Sequence, residues 1–237
     1  MLKLSKQGED MKNFVKLISI CLIICLLGVS FVSCGEQKGE FVADGAFGET
    51  TETTAGTNSN ASAKEETEQT VTSKEYTAVI TVKNYGEIEV KLDGKTAPIT
   101  VENFVKLANE KFYDGLTFHR IISGFMIQGG DPKGDGTGGS DKEIKGEFSA
   151  NGVANNISHK RGVISMARNS ISMDSASSQF FIMHQDAPHL DGQYAAFGYV
   201  TKGMEVVDKI AAEIPVVDDN GTVLKESQPV IQSVVIK

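Results

Sequence analysis

The sequence predicts a mainly β domain, a closed eight-stranded antiparallel barrel capped by two α-helices, preceded by a long polar segment. Three observations predict it. From about residue 74 onward, eight short stretches read as strands and only two show helical spacing. Two of the strands, around Phe118 and Phe181, carry large apolar groups in rows that need cover, the second on both of its faces. That pattern suits a barrel with an apolar groove on its outside. The C-terminal portion, roughly 160 residues long and without repeats, can bury such a core alone.

The N-terminus reads first as an export signal. Lys12 and Lys16 precede an apolar run from Leu17 to Val32, which ends at Ser33-Cys34. Met11 fits such a signal better as a start than Met1, because Glu9 and Asp10 are unusual ahead of one. At about sixteen residues the run is short for a membrane-spanning helix. The placement of Cys34 resembles the bacterial lipobox, although Phe31 stands where Leu is usual. That resemblance implies diacylglyceryl modification of the Cys34 sulfur and a lipid-anchored, extracytoplasmic protein. Cys21, Cys25 and Cys34 are the only cysteines, so the domain beyond them has no disulfide. Residues 35–73 are rich in Glu, Thr, Gly, Ser and Ala and read as a flexible tether. Its expected end-to-end distance is roughly 35 Å. The divisions are thus a signal over 1–34, a tether over 35–73 and a domain over 74–237.

Four lysines and two acidic residues precede Cys34, so the remainder carries 19 basic and 29 acidic groups, a net charge of −10. Such a balance argues against nucleic acid and against electrostatic attachment to anionic lipid.

The domain opens with alternating strands at Tyr76–Val82 and Glu87–Leu92. A helix is expected over Ala97–Lys111, with Pro98 at its start and Val101, Phe104, Val105 and Leu107 on its apolar face. A strand pair follows in TFHRIISGFMIQGG (Thr117–Gly130), turning at Ser123-Gly124. Strict alternation puts Phe118, Arg120 and Ile122 on one face of the first strand, and in the second strand Met126 and Gln128 share a face. A long loop from Asp131 to Arg161 leads to strands at Val163–Ala167, Gln179–His184 and Ala195–Val200. In SQFFIM (Ser178–Met183), Gln179, Phe181 and Met183 face one way, Phe180 and Ile182 the other. A second helix, Met204–Ala212, and a strand at Val230–Ile236 complete the chain.

An arginine and two amides beside Phe and Met suit a ligand that has an apolar ring and an amide carbonyl, as proline in a peptide does. Four blocks carry a specific resemblance: FHRIISGFMIQGGDPKGDGTGG (Phe118–Gly139), GVISMAR (Gly162–Arg168), SSQFFI (Ser177–Ile182) and HLDGQYAAFGYV (His189–Val200). Together they resemble the cyclophilin family of peptidyl-prolyl cis-trans isomerases, over about Tyr76–Lys237. The resemblance implies a cyclophilin-like barrel, Arg120 as catalytic residue and Gln128 as the amide buttressing it. It implies a proline pocket of Phe125, Met126, Phe181 and Leu190, and a neighbouring peptide groove at Ala167, Gln179 and the backbone of Arg168. His189 stands where many eukaryotic members have Trp, and Tyr194 where they have His; both are carried as substrate-binding candidates. The Trp change puts tight cyclosporin binding in doubt. Arg168 replaces an Asn, and all three departures look like the short bacterial branch.

What the resemblance implies about activity is rotation of X-Pro peptide bonds, with proline-containing peptides and unfolded exported proteins as partners. No cofactor or metal is expected, and nothing suggests more than a monomer. A binding module that holds proline segments without turnover, as a chaperone or surface adhesin, is the alternative, since His189 and Tyr194 replace usual groove residues.

Other motifs fail on their chemistry. Gly134–Gly139 fits G-x-G-x-x-G, but no apolar helix follows and Asp131, Asp135 and Asp141 would repel a phosphate. An EF-hand reading from Asp131 puts Lys133 and Lys142 at ligand positions. His119, His159, His184 and His189 lack zinc-site spacing. His119 and His184 are expected in strands as hydrogen-bonded core residues. No Gly-x-Ser-x-Gly elbow occurs, the serine-rich patch at Ser170–Ser178 reads as a loop, and no triad is expected.

Overall fold

The computed structural model describes residues 74–237. The signal over 1–34, the tether over 35–73 and the lipidation site Cys34 lie outside the described residues. These residues form eight strands and two α-helices: β1 (Glu75–Val82), β2 (Gly86–Asp93), α1 (Pro98–Asn109), β3 (Thr117–Ile122), β4 (Met126–Asp131), β5 (Val163–Met166), β6 (Phe180–Met183), β7 (Ala196–Lys202), α2 (Met204–Glu213) and β8 (Ile231–Ile236). Element ends fall within one or two residues of the sequence expectations. Helix α1 stops before Lys111, which takes a positive φ of 57°.

All strand pairs are antiparallel, in the order β3-β4-β6-β5-β7-β2-β1-β8. The sheet curls into a half-barrel whose edge strands meet through a short seam rather than a full ladder. Gly115 N–H donates to Ile231 O at 2.8 Å, Ile231 N–H to Leu116 O at 2.8 Å and Phe118 N–H to Pro229 O at 3.0 Å. Pro229 has no N–H of its own to extend this pairing.

The curl encloses one large core. Phe104 of α1 meets Tyr113, Phe180 and Phe197 at 5.0, 5.6 and 5.3 Å between ring centroids. Helix α2 adds Val206, Val207 and Ile210. A second, smaller cluster lies on the outer face, built from Met126, Phe181, Met183, Leu190 and Ala196. Phe180 and Ile182 belong to the first cluster and Phe181 and Met183 to the second, so the alternation in β6 separates the two.

The long loop after β4 is fixed by a distant cap on α1. No side chain of Ala97 can cap that helix, and Glu147 does so instead. Its buried carboxylate accepts from Ile99 N (3.0 Å), Thr100 N (2.8 Å) and Thr100 Oγ1 (2.7 Å). A carboxylate on those free N–H groups also complements the helix dipole.

Candidate active site

Strand β3 does not alternate as the sequence suggests. Its pairing with β4 slips between Phe118 and Arg120: Phe118 opposes Gly129, and Arg120 opposes Gln128. The extra residue, His119, makes a β-bulge, which re-aims the side chains that follow. Phe118 therefore turns into the main core, whereas Arg120 and Ile122 turn outward. Phe118 and Arg120 do not share a face, and the bulge is what sets the guanidinium against the outer apolar cluster.

Arg120 is fixed by two bonds. Nε donates to Asn220 O at 2.7 Å and Nη1 to Gln128 Oε1 at 3.2 Å. Gln128 Nε2 donates to Gln179 Oε1 at 2.9 Å, and Gln179 Nε2 to the carbonyls of Gly136 (3.1 Å) and Gly138 (2.7 Å). The carbonyls at one end and the guanidinium at the other leave each amide a single orientation. Among the described residues Nη2 has no partner, and no carboxylate forms an ion pair with Arg120. Burial lowers its pKa from the ordinary value; Tyr194 and Asp218 oppose this. A half-buried guanidinium with no carboxylate bonded to it among the described residues remains available to a ligand.

The glycine-rich loop that takes up Gln179 is tied from below by Asp131. This buried carboxylate accepts from Lys133 N at 2.8 Å, Gly136 N at 2.6 Å and Asp135 N at 3.2 Å. Burial pushes the Asp131 carboxyl up, but these bonds outweigh it and hold the pKa below the usual value. The loop is a structural wall of the site.

Arg120 faces a cavity of about 490 Å³, whose apolar side is Phe125, Met126, Phe181, Leu190 and Tyr194. A second hollow of about 310 Å³ shares Gln128, Ala167 and Arg168 with it and adds Gln179. The expected site residues thus come together along one groove, apart from His189. That ring is exposed, lines neither hollow, and stacks on Phe125 at 5.8 Å and 26°. Arg168 lies over the Tyr194 ring at 4.9 Å and over Phe148 at 5.3 Å. Its backbone N–H donates to nothing among the described residues.

Several participants were not expected. Asn220 and Thr222 border the cavity from a loop about a hundred residues beyond Arg120. His119 also lines it, yet its two ring nitrogens are buried without a hydrogen-bond partner among the described residues. This corrects the expectation of a bonded core histidine. His184 lies just past β6, half-buried and hydrogen-bonded. His159 joins Asp191 Oδ1 and Ser165 Oγ, each at 3.0 Å, and stacks on Phe181 at 6.0 Å. The three are connected like a triad, but Ser165 has no exposed surface. A hydroxyl so enclosed meets no substrate, and the imidazole braces Phe181 instead. Such a support leaves no signal in short-range spacing.

Comparison with known proteins decides the family. The model of the cyclophilin-type peptidyl-prolyl cis-trans isomerase family matches residues 76–237. This chain belongs to that family. A Helicobacter pylori peptidyl-prolyl cis-trans isomerase is 51% identical over 138 residues, covering 56% of this chain and 80% of the relative. Peptidyl-prolyl cis-trans isomerase B of Bacillus subtilis is 45% identical over 150 residues, 63% of this chain and 95% of the relative. A crystal structure of a Cryptosporidium parvum cyclophilin in the presence of the dipeptide Ala-Pro superposes with a TM-score of 0.60 at 30% identity, over 68% of this chain and 98% of that one. The protein is accordingly a cyclophilin-type isomerase whose substrates are proline-containing peptides.

Proposed function

We propose that Arg120 is the catalytic residue of this isomerase, that Gln128 holds it in place, and that the enzyme assists the folding of exported proteins while anchored through Cys34. Rotation about a peptide C–N bond faces a barrier of about 18–20 kcal/mol, because resonance gives it double-bond character. For X-Pro both isomers are populated, and exchange takes tens to hundreds of seconds, on the order of a folding-limiting step. No bond is made or broken, so the reaction needs neither nucleophile nor general base. It needs stabilisation of a twisted amide with a pyramidal, more basic nitrogen. A 10⁶-fold acceleration corresponds to about 8 kcal/mol of such stabilisation.

The observation that carries this reading is the guanidinium with an unoccupied Nη2 beside a ring-sized apolar hollow. In it, Phe125, Met126, Phe181 and Leu190 grip the proline ring, and the free backbone N–H of Arg168 holds the carbonyl oxygen. Arg120 donates to the imide nitrogen as it pyramidalises. The amide relay keeps the donor fixed, so little reorganisation accompanies the twist. Ala167, Gln179 and Tyr194 bound the groove along which the flanking peptide lies. The test is a protease-coupled Ala-Pro isomerisation assay on the full chain. Arg120→Ala should lower kcat/KM by about 10²- to 10³-fold, as removal of one fixed charge-stabilising donor does elsewhere. Equal rates for variant and wild type would reject the assignment.

The location rests on Lys12, Lys16, the apolar run Leu17–Val32 and Cys34, followed by a polar stretch suited to a tether. With a net charge of −10 beyond Cys34, attachment depends on acyl chains, each buried methylene contributing about 0.8 kcal/mol. The reading is of a monomer that does not bind nucleic acid. Growth with a fatty-acid analogue should label the wild-type chain and leave Cys34→Ala unlabelled; label on both would remove the anchor.

A further inference from the structure

Four polar groups of His184 are engaged at once, and they join the proline-pocket wall to the helical side of the domain. Its backbone N–H donates to Phe125 O at 2.8 Å, and its carbonyl accepts from Arg161 Nη1 at 2.8 Å. Its Nδ1 accepts the N–H of Gly124 at 2.8 Å, and its Nε2 lies 3.2 Å from Asp208 Oδ1.

The turn it grips runs from Ile122 to Phe125, closed by Phe125 N–H to Ile122 O at 3.0 Å. Gly124 has a φ of 79° and Ser123 a negative one, the pattern of a type II turn. In that turn the N–H of the third residue has no role in closure, so it is free for Nδ1. An acceptor Nδ1 requires the proton on Nε2, which faces Asp208. Asp208 is itself clamped by both Nη atoms of Arg161 at 2.7 and 2.8 Å. Asp186 holds the Arg161 backbone N–H at 2.8 Å. Asp208 stands on α2, whose opposite face is packed into the main core. The turn bearing Phe125 is therefore tied to a rigid element.

We infer that His184 is a positioning residue for the isomerase: by holding the Ser123-Gly124 turn it fixes Phe125 as a wall of the proline pocket. The inference rests on the reading of Phe125 as a pocket residue. It predicts an effect on binding rather than on the chemical step, since Arg120 is held separately through Asn220 and Gln128. The imidazole is supported from one side by charge (Asp208, with Arg161 behind it) and spends its other nitrogen on the turn.

The test is steady-state isomerisation of an Ala-Pro peptide by the full chain. His184→Leu, which loses both ring contacts, should raise KM about three- to tenfold, the effect of one lost hydrogen bond, with kcat little changed. His184→Asn keeps an acceptor near the Nδ1 position and should restore most of the KM. Asp208→Ala frees the ring from the other side and should also raise KM, so the idea remains testable if the leucine variant does not fold. In a Phe125→Ala background, His184→Leu should add nothing further. If Phe125→Ala itself leaves KM unchanged, the pocket reading fails. If Phe125→Ala raises KM while His184→Leu and Asp208→Ala do not, the pocket stands and the clamp is overturned.

Discussion

Phe180 and Phe181 are neighbours on β6 with the same side chain, yet they belong to different machines. Phe180 has no exposed surface and meets Phe104 and Tyr113 at 5.6 Å and Phe118 at 6.1 Å, each edge to face. Phe181, on the outer face, is stacked by His159 and edged by Tyr194 at 5.9 Å, and one side of it opens onto the Arg120 cavity. The inner face of the sheet is closed by the curl and by both helices. The outer face has only loops, and these leave a hollow. What separates core from site is thus the cover, set by loop architecture, and not the composition of the strand.

The sharpest break in the comparison comes from truncating each ring. Phe180→Ala should destabilise the domain by about 3–5 kcal/mol, since the void would be enclosed on all sides. Phe181→Ala removes the same atoms next to open space and should cost about half as much in stability. Its larger consequence should be a KM raised about 10- to 100-fold, matching about 1.5–3 kcal/mol of lost apolar contact with proline. Denaturant unfolding and peptide kinetics on both variants decide this. Equal stability losses, or a KM effect from Phe180→Ala alone, would erase the distinction between the two faces.

A smaller effect concerns the polar rim. Gln179 joins the amide relay to the Gly136 and Gly138 carbonyls, and so ties Arg120 to the loop over the site. Gln179→Ala should lower kcat about tenfold, because Gln128 loses the acceptor that orients it, about 1–2 kcal/mol. Unfolding should shift little, since the rim adds nothing to either apolar cluster. A kcat equal to wild type would mean that Asn220 and Gln128 hold the guanidinium without the bond from Gln128 to Gln179.

The same contrasts separate what local sequence encodes from what it does not. The two faces of β6 are legible in the sequence because an undisturbed strand repeats every two residues. So are the turn at Ser123-Gly124 and the helix beginning at Pro98. Strand β3 misleads the same rule: one extra residue at His119 reverses the register, and nothing in FHR announces a bulge. The remaining omissions are long-range. Asn220 reaches Arg120 from 100 positions away, and Glu147 caps a helix 47 and 48 residues before it. Contacts of that span depend on how loops return across the fold, which local periodicity does not encode. The short seam between β3 and the segment before β8 is long-range in the same way. It depends on where the segment before β8, with Pro229, meets β3.

His119 occupies the border between the two regions, and the smallest predicted effect concerns it. Burial lowers its pKa, the Arg120 charge adds to that, and Asp131 and Asp135 oppose it, so the imidazole takes up a proton less readily in the folded domain than in the unfolded chain. In the unfolded chain an ordinary histidine takes up its proton below about pH 6.5. The unfolded state then binds more protons than the folded one, so the stability present above that pH is lost as pH falls from there toward the folded value. The slope from this one group is at most about 1.4 kcal/mol per pH unit. His159 is shifted the same way by burial, with Asp191 opposing, and adds a parallel loss. His119→Leu removes the titrating group together with two unpartnered nitrogens, and replacing unpaired polar atoms by apolar ones is close to neutral or stabilising. The unfolding free energy of the variant should therefore equal or exceed wild type at pH 7.5 and fall less steeply between pH 6.5 and 5. An unchanged slope would show that the bulged histidine keeps its proton exchange in the fold, and that the border of the site is wetter than the packing around His119 implies.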